Sequence, residues 1–60
     1  MKKMIWLHQD GEPVLVNPDK IETVHKGQSG SYVYFSGEDG ALEVDENQEL
    51  VDIKFRDAYR

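Results

Sequence analysis

Apolar and polar residues alternate from Met4 to Gln9, with Ile5 and Leu7 on one face and Met4, Trp6 and His8 on the other. A period of two is the mark of a strand with one buried face. Val14, Leu15 and Val16 are strand formers a few residues on, and between the two runs stands Asp10-Gly11. That dipeptide predicts a two-residue hairpin loop of type I′, which needs positive φ at both positions. With those residues as the loop, Ile5 faces Val16, Trp6 faces Leu15 and Leu7 faces Val14. Four aliphatic side chains then share one face, while Met4, Trp6 and Leu15 gather on the other.

Asn17-Pro18 interrupts the pattern. Asn suits an N-cap and Pro the first helical position, so one short helical turn over Pro18 to Lys20 is expected, dropping Ile21 into the core. Glu22 to Lys26 extends again as a third strand. It ends at Gly27-Gln28-Ser29-Gly30, whose glycines permit positive φ. Ser31 to Phe35 is the clearest strand, with Val33 and Phe35 on one side and Tyr32 and Tyr34 on the other. A loop over Ser36 to Gly40 leads to a fifth strand, Ala41 to Val44, with Leu42 and Val44 inward.

The last segment reads two ways. Val51, Ile53 and Phe55 alternate as in a strand, whereas Val51, Phe55, Ala58 and Tyr59 repeat as on a helix. Charge placement favours the helix. Asp45 or Asn47 can cap it, Glu46 and Glu49 stand near its positive end, and Lys54, Arg56 and Arg60 stand near its negative end.

These elements predict a single small domain over residues 1–60, mostly β in an α+β arrangement. A single antiparallel sheet or open barrel of about five strands would carry one C-terminal helix across its open face. The expected core is Ile5, Leu7, Val14, Val16, Ile21, Val24, Val33, Phe35, Leu42, Val44, Val51 and Phe55. A chain of 60 residues buries only about 60% of the surface it exposes when unfolded, so its stability is marginal and self-association would help it.

Charge narrows the possible partners. Twelve acidic residues against seven basic ones give a net charge of −5, and no Lys or Arg occurs between Gly27 and Ile53. Such a stretch opposes phosphate binding and suits a basic or polar protein surface, or a solvated acidic loop. The chain has no cysteine, which fits a reducing cytoplasm and removes thiolate metal sites. Its apolar runs are too short for a membrane span or a signal peptide, so a cytoplasmic protein without membrane insertion is expected.

Candidate chemistry is sparse. His8 and His25 have no third ligand at a convincing spacing, and Glu38, Asp39, Glu43 and Asp45 lack the ligand pattern of a calcium loop. Gly37 and Gly40 lack the Lys and Ser/Thr of a phosphate loop, and no Ser, His and carboxylate fall into a recognisable catalytic motif. No catalytic residue, metal or cofactor is therefore expected. Met4, Trp6 and Leu15, with Tyr32 and Tyr34, form the candidate interaction surface, because exposed aromatics on strands anchor protein interfaces or stack on nucleotides. The alternative buries the two tyrosines under the helix and turns Val33 and Phe35 outward.

Read together, MIWL, DGEPVLVNPDKIETV, a glycine-containing turn, SYVYF, a glycine-containing loop, ALEV and an acidic helix start resemble the small flagellar and swarming-motility proteins of the FlbD family. The resemblance covers almost the whole chain. It is carried most specifically by Asn17-Pro18-Asp19 and Ile21-Glu22-Thr23-Val24, with Met4-Ile5, Leu7, Glu46 and Val51 in support. Gly27 to Ser31 is glycine-rich where the family has a Pro-Asp turn. The resemblance implies a non-enzymatic protein-interaction module linked to motility, acting on itself or another protein, and brings no active site. Val14 to Val44 is also similar to the first half of a LytTR-type DNA-binding domain. That likeness implies a small nucleic-acid-binding regulator, although the basic residues such a domain would set on phosphates are missing.

Overall fold

The computed structural model describes residues 2–60. The elements follow in the order β1 (Ile5–Gln9), β2 (Glu12–Val16), a 3-10 turn (Pro18–Lys20), β3 (Ile21–Lys26), β4 (Ser31–Phe35), β5 (Ala41–Val44) and α1 (Gln48–Ala58). The fold is a small β-rich α+β architecture whose strands divide into two antiparallel sheets, the ribbon β1–β2 and the sheet β3–β4–β5. The division falls at Asn17. Its side-chain oxygen accepts the Asp19 N–H at 3.0 Å, Pro18 is buried at the first position, and the turn redirects the chain before β3 begins. β2 and β3 consequently do not pair.

The ribbon has the one-to-one register its loop dictates, with Ile5 opposite Val16, Trp6 opposite Leu15 and Leu7 opposite Val14. Asp10 and Gly11 have φ of 50° and 81°, as a type I′ turn requires. In the larger sheet, Val24 faces Val33 and Val33 faces Leu42, with a bulge between Ile21 and Thr23. The glycines of the β3–β4 turn do not use the freedom of positive φ that they have. Positive φ belongs to Gly11 and Gly37, not to Gly27 or Gly30. Gly30 is needed for closeness, since a Cβ there would lie 1.9 Å from the Val44 carbonyl oxygen.

One core holds both sheets together. Ile5, Leu7 and Val16 enter it from the ribbon, Val33 and Val44 from the sheet, and Val51 and Ala58 from the helix, with Val14, Ile21, Val24, Phe35 and Leu42 around the margin. Phe55, expected inside, is only half-buried, packed against Tyr59 at 5.1 Å between ring centroids. The small Ala58 fills the interior position one turn later. The helical reading of the last segment holds: Val51 is 1% exposed and Ile53 is 61% exposed, a contrast that strand alternation would not produce. Asn47, not Asp45, caps the helix, accepting the Leu50 N–H at 2.9 Å. No helix among the described residues is long and apolar enough to cross a membrane.

The segments near the two ends meet around Asp19. Lys3 N–H donates to the Ala58 carbonyl at 2.8 Å, Lys2 Nζ reaches the Asp19 carboxylate at 2.8 Å, and the Tyr59 hydroxyl donates to the same carboxylate. The hydrogen bonds from Lys2 and Tyr59 lower the Asp19 pKa, and the bond to Asp19 raises that of the Tyr59 hydroxyl.

Candidate interaction surface

Backbone alternation decides which side of each strand faces outward. Pro13 has no N–H and lies opposite His8, so that pair makes no ladder bond, and neither does the pair two positions on, Trp6 and Leu15. The backbone groups of His8 and Trp6 therefore point away from β2. Three of these four groups find a partner. His8 N–H donates to Glu46 Oε1 at 2.9 Å, the His8 carbonyl accepts the Asp45 N–H at 2.7 Å, and the Trp6 carbonyl accepts Lys54 Nζ at 2.7 Å. The segment from Asp45 to Lys54 thus seals the far edge of β1 in place of a third strand.

Glu46 is the centre of that seal. Its side chain is buried, with His8 Nδ1 at 2.6 Å and Lys54 Nζ at 3.2 Å from Oε2. Burial pushes its pKa up. The His8 side chain and backbone, its own backbone N–H and Lys54 outweigh that effect and hold it at about 2, from 4.5. An ionised carboxylate only accepts, so His8 Nδ1 carries the hydrogen. The buried Ser31 hydroxyl fixes the backbone by donating to the Glu46 carbonyl at 2.7 Å. Asp45 accepts the N–H groups of Asp10 and Gly11 at 3.1 and 2.8 Å, tying down the hairpin tip. A histidine beside a carboxylate resembles acid–base machinery, but both Glu46 oxygens are engaged by groups of the chain itself, and the trio acts as a lock between ribbon and helix. Sequence reasoning assigned Glu46 to the helix start. The His8–Glu46 pair spans 38 positions, and nothing in the local sequence signals it.

The five candidate surface residues fall into two groups. Met4, Trp6 and Leu15 come together on the outer face of the ribbon at 45%, 54% and 49% exposure. Trp6 and Leu15 form a cross-strand pair directly opposite one another, where side chains approach closely. Tyr32 and Tyr34 lie on the other sheet, opposite Val33 in the pleat. Tyr34 is exposed between Thr23 and Ala41, and Tyr32 is half-buried between His25 and Glu43. His25 meets Tyr34 edge-on at 5.1 Å. The outward placement of Val33 and Phe35 is excluded, because Val33 is fully buried. Since the inner faces of both sheets share one core, the two aromatic groups belong to different surfaces of the molecule.

A groove of about 450 Å³ opens between β2 and β5, with Val14, Val16, Phe35 and Leu42 among its apolar lining and Lys20 and Glu38 at its margins. Leu15 borders it too, so the ribbon's exposed face runs into the groove. A second groove of about 330 Å³ lies between β3 and α1, where Gln48 Nε2 donates to the Val24 carbonyl at 3.0 Å. His8 and His25 stand on separate sheets. No group of three or more His, Cys, Asp or Glu side chains among the described residues is placed to hold a metal ion. Comparison with protein-family models, with curated proteins and with solved structures gives no match to this chain.

Proposed function

We propose that the protein is a small non-enzymatic protein–protein interaction module that acts through the outer face of its ribbon, on a second copy of itself or on another protein. The observation that carries this reading is the exposure of Trp6 and Leu15 as a cross-strand pair on the hairpin, with exposed Met4 just before it. A large aromatic side chain held on a strand with an aliphatic neighbour is the composition of an interface anchor, and burying it releases ordered water at little conformational cost. The resemblance to the FlbD-like motility proteins supports the same class of role. Electrostatics favours a protein over a nucleic acid: the net charge is −5, and Lys2, Lys54, Arg56 and Arg60 each lie within 3.9 Å of a carboxylate of the chain.

Light scattering at tens of micromolar is expected to give a mass above the monomer, and Trp6→Glu is expected to lower it. An oligomer indifferent to Trp6→Glu overturns the assignment of this face. A gel shift with arbitrary DNA or RNA that weakens steeply with added salt would replace the whole reading by nucleic-acid binding.

A further inference from the structure

We infer that a second copy of this chain adds to the open edge of β2, in antiparallel register with Leu15 opposite Leu15 on a two-fold axis. The inference rests on the self-association reading above and deepens it by naming the edge, the register and the backbone groups that pair. Of the strand edges, that of β1 is sealed by Glu46, Asp45 and Lys54, and that of β3 is met by Gln48. Asp45, just past β5, joins that end to His8 through its N–H, and the rest of the outer edge of β5 faces the groove it shares with β2. β2 is the outermost strand of the ribbon, and nothing in the described structure lies on its far side in hydrogen-bonding position.

The groups it offers fit one register. Alternation turns Pro13, Leu15 and Asn17 toward the open side, because Ile5–Val16 and Leu7–Val14 are the ladder-bonded pairs. With Leu15 on the axis, the two Leu15 residues exchange both N–H···O bonds, and Asn17 of each chain falls opposite Pro13 of the other. An ordinary strand pair would there demand a donor from residue 13 to the carbonyl of residue 17. Pro13 has no N–H, and the Asn17 carbonyl already accepts the Lys20 N–H at 3.1 Å within the 3-10 turn. The missing donor and the spent acceptor coincide. What remains, Asn17 N–H to the Pro13 carbonyl, can form on both sides of the axis, so no backbone group at the junction is left unpaired.

Side chains and charges agree with the same placement. Residues directly opposite share a face, so Val14 of one chain stands beside Val16 of the second copy along the apolar groove. The two Leu15 side chains meet on the outer face between the two Trp6 rings. Asp10 and Glu12 at one end of β2 are brought toward Lys20 of the second copy, and the two-fold axis repeats that match.

The test is amide hydrogen exchange on the full chain at two concentrations, with light scattering on the same samples. Between about 20 µM and about 1 mM, exchange at Leu15 and Asn17 is expected to slow severalfold, up to the roughly sevenfold that mass action allows a dimer, while Val14 and Val16, bonded to β1, stay protected throughout. Leu15→Pro removes the outward N–H together with the Leu15 side chain of the outer face, and is expected to give a monomeric mass with native circular dichroism; the exchange data separate the two contributions. Where that variant does not fold, the wild-type exchange data decide alone. Exchange at Leu15 and Asn17 that is the same at both concentrations overturns the edge pairing. If mass then stays above the monomer and drops with Trp6→Glu, the outer-face reading survives by itself; a monomer throughout removes self-association and the edge pairing together.

Discussion

The ribbon and the three-stranded sheet are both made of antiparallel hairpins, yet they owe their shapes to different causes. The ribbon is specified locally: a two-residue turn with both φ values positive, an unbroken register, and alternation that sends every second side chain inward. The sheet is specified from a distance. It has a bulge after Ile21, a turn at Gly27–Gly30 that fits only because Gly30 lies against the Val44 backbone, and an edge completed by Gln48 of the helix. The two regions are joined by the core they share and by a third region, the segment Asp45 to Ala58. Damage to the junction should therefore unfold the molecule, whereas damage to the ribbon's own turn should stay modest.

The sharpest way to break that comparison is at the helix. Val51→Asp places a charge in the core shared by both sheets and is expected to abolish folding, a loss above about 4 kcal/mol, while Ile53→Asp on the exposed side stays within about 0.5 kcal/mol. Urea melts of the two variants check this, and equal damage would mean the helix is not the common support.

Next in size is the lock at Glu46. Glu46→Ala leaves the His8 N–H without its acceptor and Lys54 without its carboxylate, an expected loss on the order of 3 kcal/mol in chemical denaturation. The same group predicts a pH effect with a definite sign. Its folded pKa of about 2 lies below the ordinary value of 4.5, so its stabilisation is fully present above 4.5 and disappears as the pH falls from there through 2. Wild type is expected to lose on the order of 3 kcal/mol across that window. Glu46→Gln should show a flatter acid limb, and identical limbs would mean that other carboxylates govern acid unfolding.

Gly30→Ala should cost roughly 2 kcal/mol, because the added carbon meets backbone that cannot swing aside. Gly27→Ala, whose nearest obstacle is a tyrosine ring at 3.2 Å, should cost less in the same thermal melts. Smallest is Gly11→Val, about 1 kcal/mol, from forcing a β-branched residue to a φ of 81° with open space around it. A loss there larger than at Gly30 would reverse the comparison and make the ribbon's turn the governing element.

The same division explains what the sequence disclosed. Asp10-Gly11 named its turn, so Ile5, Trp6 and Leu7 could be set against Val16, Leu15 and Val14 without further information, and the exposure of Met4, Trp6 and Leu15 followed. Asn17-Pro18 likewise carried its own cap. Glu46 was illegible because nothing in its neighbours distinguishes an acid at a helix start from one that turns back to close a strand edge far away in the chain. The role of Gly30 was hidden for a related reason: glycine serves both positive φ and close approach, and only the position of Val44 tells which. The split into two sheets was hidden because the strand pattern states which residues face inward, not which edges meet. Phe55 and Ala58 show the converse, a large residue left at the margin because a small one fits the space between three elements.

Lys3 and Ala58 are one hydrogen bond apart. Entry to and exit from the fold thus occur at nearly the same point, so to a host protein the domain has the footprint of a loop. It can be spliced between two adjacent strands of another protein without prying them apart, and its ends can be bridged by a few residues while a new break is opened at the exposed Ser36 to Gly40 segment.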